Sequence, residues 1–200
     1  MGVLGVISDT HVPDRAPRLD PQVLEIFKAT EVMAILHAGD ISSPQVLEAL
    51  RSLAPVYAVG GNRDWYLLRG LPGRLDLTFE GIKIGLTHGH GGLRKYLLDR
   101  SAYYLEGYRP ERYEPRILKE FPEARVIVFG HTHRALNRWV GGQLLFNPGS
   151  PHIADVRGQP RSLGLLHLLP GGEVRGELLA LTNGSIEAGR YTPGESSGGT

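Results

Sequence analysis

Five times in this chain a short apolar, β-branched run stops abruptly at a cluster of Gly, Asp, Asn or His. The instances are "VLGVISDTH", "VMAILHAGD", "VYAVGGNRD", "IKIGLTHGH" and "VIVFGHTH". Runs of this length with polar ends read as strands covered on both faces. The first three are separated by helical stretches. In "LDPQVLEIFKAT", Val23, Leu24 and Phe27 share one face, and "SSPQVLEALRS" opens with Ser42 or Ser43 as N-cap and Pro44 in the first turn. Strand–helix–strand alternation calls for parallel crossovers.

After Asp64 the pattern changes. "LDLTFEGIKIGLTH" reads as two strands meeting at Glu80–Gly81. "RALNRWVGGQLLFNPG" reads as a hairpin turning at Gly141–Gly142, and "SLGLLHLLPGGEVRGELLAL" as another turning at Pro170–Gly172. Between them "GLRKYLLDRSAYYLEGY" and "RPERYEPRILKEF" read as helices, the second interrupted near Pro115. The predicted fold is α/β, with two mixed sheets packed face to face and helices outside. One domain over residues 1–182 accommodates it, as suits a chain of 200 residues. Residues 183–200 are expected to form a polar, flexible tail.

In open α/β sheets ligands sit beyond the carboxyl ends of the strands, and all five polar clusters lie there. Side chains two apart in an extended segment point the same way. His131 and His133 are therefore expected to face one cavity, with Gly130 permitting close approach, and Asp9 and His11 repeat the spacing. Asp40, Asn62 and His88 complete a set of seven nitrogen and oxygen donors. Seven exceed the needs of one ion, whereas two ions sharing a carboxylate use them all. The imidazole share favours Mn, Fe, Zn, Co or Ni over Mg or Ca.

Composition removes the main competing chemistries. Without cysteine, a thiolate metal site, a cysteine nucleophile and a disulfide framework are all excluded. A formal net charge of +1 gives no general attraction to long nucleic acid or an anionic membrane. No apolar run approaches the roughly 18–20 residues of a membrane helix, and "MGVLGVISDTH" lacks the pattern of a signal peptide. A cytoplasmic location is expected.

The ordered motifs D-x-H, G-D, G-N-x-D, H-G-H and G-H-x-H, with "NPGS" after the last, resemble the calcineurin-like metallophosphoesterases, and within them the small bacterial and archaeal phosphodiesterase branch. The resemblance covers roughly residues 1 to 165 and implies a four-layer αββα sandwich. It also implies that Asp9, His11 and His133 hold one ion, that Asn62, His88 and His131 hold the other, and that Asp40 bridges. Manganese is the first choice of metal, with Ni, Fe, Zn or Co behind it. The expected activity is hydrolysis of a small phosphate ester, a diester before a monoester, by in-line attack of a hydroxide bridging two divalent ions.

One position departs from the family. Many members carry His in "GNHD" or "GNHE", where it is thought to protonate the leaving group, and this chain has Arg63 in "GNRD". Arginine does not give up a proton near neutrality but binds phosphate oxygens and developing negative charge. His90, the second His of "HGH", is a candidate to replace that proton donor, and both residues are candidate catalytic and substrate-binding groups.

Plainer readings stand beside these. His37 and His167 read as structural histidines, with His37 alternatively supporting Asp40 from below. His152 follows "NPGS" in a loop and is as suited to the cavity as to packing. Asp64 reads as an anchor for Arg63 or the loop backbone. "NPGS" alone is a turn, while the resemblance puts Asn147 or Ser150 at the border of the site. "GHGGLRKY" matches no phosphate-binding loop and reads as an ordinary glycine-rich connection. Two other functions compete with the esterase: a non-catalytic interaction scaffold, a use made of the same fold by a retromer-type trafficking subunit, and a nuclease or nucleotide phosphohydrolase. Homo-oligomerisation is left open.

Overall fold

A computed structural model describes residues 2–92, 107, 109, 113–153, 159–181, 185–187 and 190–192. Strand β1 (Gly2–Ile7) leads through helix α1 (Pro21–Ala29) to β2 (Ala34–His37), and through α2 (Pro44–Arg51) to β3 (Val56–Ala58). Both helices begin where capping chemistry says they should. The Asp20 side chain accepts from Gln22 N and that of Ser43 accepts from Gln45 N, each with Pro in the first turn. β1 pairs parallel with β2, and β2 with β3, as the alternation required.

A short helix α3 (Asp64–Leu67) then leads into the hairpin β4 (Arg74–Phe79) and β5 (Ile82–Thr87), and β6 (Val126–Val128) lies parallel to β5. The predicted helix over residues 92–108 lies almost wholly outside the described residues. The next one begins later than expected, as α4 (Glu114–Glu120). Pro115 opens this helix instead of interrupting it, because its missing N–H is unneeded in the first turn. Hairpins β7 (Ala135–Val140)–β8 (Gln143–Pro148) and β9 (Ser162–Leu169)–β10 (Glu173–Ala180) follow, turning at the expected glycines. Within the expected tail, Ser185–Glu187 and Arg190–Thr192 pair as a small antiparallel hairpin.

The strands form two five-stranded mixed sheets, ordered β10-β9-β1-β2-β3 and β4-β5-β6-β8-β7. Three apolar clusters show the layering. Leu4, Val6 and Leu36 of the first sheet meet Ile84, Val126, Leu144 and Phe146 of the second. Ile7 and Ile35, on the opposite face, pack with Phe27 of α1 and Leu47 and Leu50 of α2. Ile127 and Leu145 pack with Ile117 of α4 on the far side of the second sheet. The result is the four-layer sandwich that period-2 alternation in strands buried on both faces requires. Among the described residues no helix is long and apolar enough to cross a membrane. Every donor segment sits on a loop at the carboxyl end of β1, β2, β3, β5 or β6, so the sheets deliver them to one edge of the sandwich.

Candidate metal centre

Five of the seven candidate donors have left-handed backbones: Asp9 (φ 53°), His11 (48°), Asp40 (53°), His131 (69°) and His133 (56°). The extended geometry expected for D-x-H and H-x-H is therefore absent. The strands end first, and left-handed residues two apart, separated by Thr10 or Thr132, turn the side chains inward. Outside glycine this region costs roughly 1–2 kcal/mol per residue, and it persists where surroundings over-determine the backbone. Here Asp9 N donates to Gly39 O (2.9 Å), His11 N to Asp40 O (3.0 Å), and His131 N to Asp9 Oδ2 (3.0 Å). The loops after β1, β2 and β6 thus hold one another in place.

Two donor groups result. In the first, His11 Nε2 lies 3.1 Å from His133 Nε2, and Asp9 Oδ1 lies 3.3 Å from His133 Nε2 and 3.9 Å from His11 Nε2. In the second, Asp9 and Asp40 converge with His88. His88 Nε2 is 3.6 Å from Asp40 Oδ1 and 3.2 Å from Asn62 Oδ1, and the His131 ring centroid is 5.2 Å from that of His88. Asp40 divides its carboxylate between the groups, because its Oδ2 lies 3.7 Å from His11 Nε2. All seven expected donors are therefore gathered at one place.

The chemistry of this set fits divalent cations. Asp9 is fully buried, yet its Oδ1, the oxygen that faces His133 and His11, makes no well-formed hydrogen bond. Such an atom is costly unless something satisfies it. Ligand separations of roughly 3.0–3.4 Å follow from metal–nitrogen distances of about 2.0–2.1 Å, close to those between His133 and its two neighbours. His88 Nδ1 bonds Ala38 O at 2.7 Å, so in the neutral ring Nδ1 carries the proton and Nε2 presents its lone pair.

Electrostatics point the same way. Burial, opposed by Asp9, pushes His11 down to about 4, and burial together with His88 pushes His131 down to about 3. Both rings are neutral and available to a metal at pH 7. Burial pushes Asp40 up to about 6 against the pull of His88, a sign of a carboxylate short of positive charge. Burial works against the ionised Asp9 as well, but His133 and the other imidazoles outweigh it and hold the carboxyl below its usual range. His133 is correspondingly raised, with Asp9 overcoming desolvation.

Buried residues beneath the donors set their positions. Ser8 Oγ donates to Asp9 Oδ2 at 2.6 Å, which leaves Oδ1 to face the site. Asp64 accepts from Ile41 N and Ser42 N through Oδ1 and from Gly61 N through Oδ2, tying the G-D loop to the G-N loop. Fully buried His37 accepts from Gly39 N and meets Thr10 Oγ1. Asn147 and Ser150, expected at the border of the site, are buried underneath it. Asn147 Nδ2 donates to Gly130 O and Thr132 Oγ1, and Ser150 Oγ donates to Asp9 O. Ser8 was not singled out in the sequence, where a serine before D-x-H carries no signal of its own.

At the rim, the Arg63 guanidinium is exposed and lies 3.4 Å from Asp14 Oδ2, while the backbone N–H of Arg63 donates to Asp40 Oδ1 at 2.8 Å. His90 is half-buried, with its ring centroid 5.4 Å from His88 and 6.3 Å from His131. His167 lies away from the donors, paired with Glu177 at 2.7 Å. The electrostatic neighbours of His152 are Asp20 and Arg161, not the seven donors.

Gly130 makes the closest approach. A Cβ there would fall 1.9 Å from Ser8 Oγ and 2.8 Å from Asp9 Oδ2. Gly130→Ala is expected to cost about 1–3 kcal/mol through overpacking and to lower Tm by roughly 2–10 °C. Because the clash falls on Asp9, metal affinity is expected to drop with it. Thermal melts and metal titrations check this, and an Ala variant that binds metal normally contradicts it.

A profile of the calcineurin-like phosphoesterase superfamily domain matches residues 3–169. A probable metallophosphoesterase of Methanothermobacter thermautotrophicus is 37% identical over 152 residues, covering 76% of this chain and 78% of the relative. A phosphodiesterase of Methanocaldococcus jannaschii is 26% identical over 159 residues, covering 73% and 82%. Among solved structures, Vacuolar Protein Sorting 29 of Cryptosporidium parvum superposes with a TM-score of 0.66 at 21% identity, over 89% of this chain and 96% of that one.

Proposed function

This chain belongs to the calcineurin-like phosphoesterase superfamily, and on that premise we propose that it is a phosphodiesterase working with two divalent transition-metal ions, manganese first. The carrying observation is the divided Asp40 carboxylate, with one oxygen toward His11 and the other toward His88, whose Nε2 also meets Asn62. In this reading Asp9, His11 and His133 hold one ion, Asn62, His88 and His131 hold the other, and Asp40 serves both. The ions would acidify a water and polarise the phosphoryl oxygens. Ser8, Asp64, Asn147 and Ser150 act through the loops, fixing donor spacing, and the substrate meets Arg63 and His90. A cytoplasmic setting belongs to the same proposal.

The preference for diesters rests on the named phosphodiesterase relative and on Arg63. A guanidinium beside the centre binds a phosphoryl oxygen but supplies no proton to a departing alkoxide, and His90, expected as the substitute donor, is pushed down to about 4 by burial and His88, so it is neutral at pH 7 and supplies none either. The rate is therefore expected to fall with leaving-group basicity, with nitrophenyl diesters outrunning alkyl diesters by about 10²-fold or more, the usual scale of general-acid assistance. Equal rates for both, with chemistry limiting, would refute the role given to Arg63. The likeness to a vacuolar sorting protein supports a second reading, a binding scaffold on the same fold. Metal analysis and assay of bis-nitrophenyl and mono-nitrophenyl phosphate with Mn, Ni, Zn and Mg separate the two. A chain that binds metal but hydrolyses neither ester leaves the scaffold.

A further inference from the structure

A pocket of about 360 Å³ opens beside the metal centre and is not used by any step above. It shares three residues with the centre's surroundings: Gly61, His90 and Asp64, whose carboxylate is taken up by Ile41 N, Ser42 N and Gly61 N. Gly61 lies against Asp40, where an added Cβ would be 2.2 Å from Oδ1, and the His90 ring stands next to His88. The other walls are Gly60, Gly70 and Gly73, which leave flat backbone surfaces, and Leu68 and Leu71, which are apolar. Trp65 and Arg69 complete the lining. Trp65 is the most exposed large hydrophobic residue described, at 64%.

An exposed indole offers a flat apolar face with one N–H donor, a ready surface for a planar ligand. Its position decides which ligand. Flat glycine walls, an indole and an imidazole favour a planar ring over a branched or flexible chain. A guanidinium adds stacking and hydrogen-bond donors without asking for a second phosphate. The pocket volume is in the range of small-ligand sites, and the metal donors next to it suit the phosphate of the same molecule. We propose that this pocket takes a nucleobase, so that the substrate is a nucleotide ester whose phosphate lies at the metal centre. The proposal rests on the phosphoesterase reading for its phosphate end only.

The composition supplies a reporter. The chain has two tryptophans, and the other, Trp139, stacks on Arg125 at 4.4 Å away from this pocket. Trp139→Phe keeps a ring over Arg125 and leaves Trp65 as the sole tryptophan, which can be excited apart from the tyrosines. In the metal-loaded full chain, adenosine monophosphate is expected to change Trp65 emission saturably, and glycerol 3-phosphate, which has the phosphate but no base, is not. By calorimetry on the chain with both tryptophans, Trp65→Ala is expected to weaken adenosine monophosphate at least about fivefold, the low end of base–aromatic stacking, and Trp65→Phe to restore most of it. Equal affinity for the two phosphates, no binding of either, or no effect of Trp65→Ala overturns the proposal. Failure here with rapid diester hydrolysis removes the base pocket and leaves the esterase. Trp65-dependent binding with no hydrolysis of any ester does the reverse.

Discussion

Replacing Asp40 by Ala is expected to lower the metal content of the purified protein from about two ions per chain to one or none. Diester hydrolysis should fall by roughly 10³-fold or more, the consequence of losing a Lewis-acid contribution of several kcal/mol. Two features make Asp40 the strongest single test. Its two oxygens face different donor groups, His11 on one side and His88 with Asn62 on the other, so both sites lose a ligand at once. It is also almost fully buried, with its loop fixed by Arg63 N at 2.8 Å. Asp40→Asn guards against a mere folding defect, since the amide oxygen still accepts from Arg63 N while the charge is lost. The opposed stabilities are diagnostic. A buried carboxylate without a cation is costly, so the Asn variant should melt higher than the unaltered chain when both are metal-free, and lower when both are loaded. Full metal-dependent activity in Asp40→Ala would show that Asp40 does not join the two groups.

The sequence was most legible where chemistry repeats. Five apolar runs ending in donors predicted both the strands and the edge at which the donors gather, and the hairpins at Glu80–Gly81, Gly141–Gly142 and Pro170–Gly172 follow from turn residues with few alternatives. What could not be read was the route by which the donors converge. Same-side spacing in a strand was the expected cause for His131 and His133, but both are left-handed, and so are Asp9, His11 and Asp40. Backbone sign at a non-glycine residue depends on contacts far away in sequence, such as His131 N on Asp9 Oδ2, 122 positions apart. The supports were hidden for the same reason. Ser8 and Asn147 are small polar residues of common type, and their roles appear only once β1, β6 and β8 bring their loops together. Asp64 reads in the sequence as an anchor for Arg63 or the loop backbone, and the structure shows which loops it joins: Gly61 on its own segment, Ile41 and Ser42 on the one before.

Stripping the metal with a chelator is expected to lower Tm by roughly 10–20 °C. An ion held at about 100 times its Kd stabilises by about 2.7 kcal/mol, two ions by about 5 kcal/mol, and a domain of this size shifts by about 2–4 °C per kcal/mol. The structure gives a reason for the loss to be local first. Asp9 Oδ1 is buried without a good partner, and the strained residues lie on the loops that carry the donors. Hydrogen exchange in the metal-free protein should therefore quicken at residues 8–11, 39–41 and 130–133 before the strands respond. Acidity sharpens the test. With Asp40 raised from 3.8 to about 6 by burial, the metal-free fold binds its proton more tightly than the unfolded chain does. Its contribution to stability is present below about pH 4 and is lost as pH rises to about 6. His11, His37 and His90, pushed down to about 4 by burial, and His131, pushed down to about 3, work the other way, since they gain protons on unfolding, and together they outweigh Asp40. The metal-free protein should therefore be more stable at pH 7 than at pH 5, and the loaded protein more steeply so, since protons also compete with metal for the imidazoles. Mn, Ni or Zn should restore the melting temperature and the slow exchange, and Mg should restore little, because the imidazoles outnumber the carboxylates. A metal-free chain that melts and exchanges like the loaded one would mean that the donors hold their positions without an ion, and the two-ion assignment would fall.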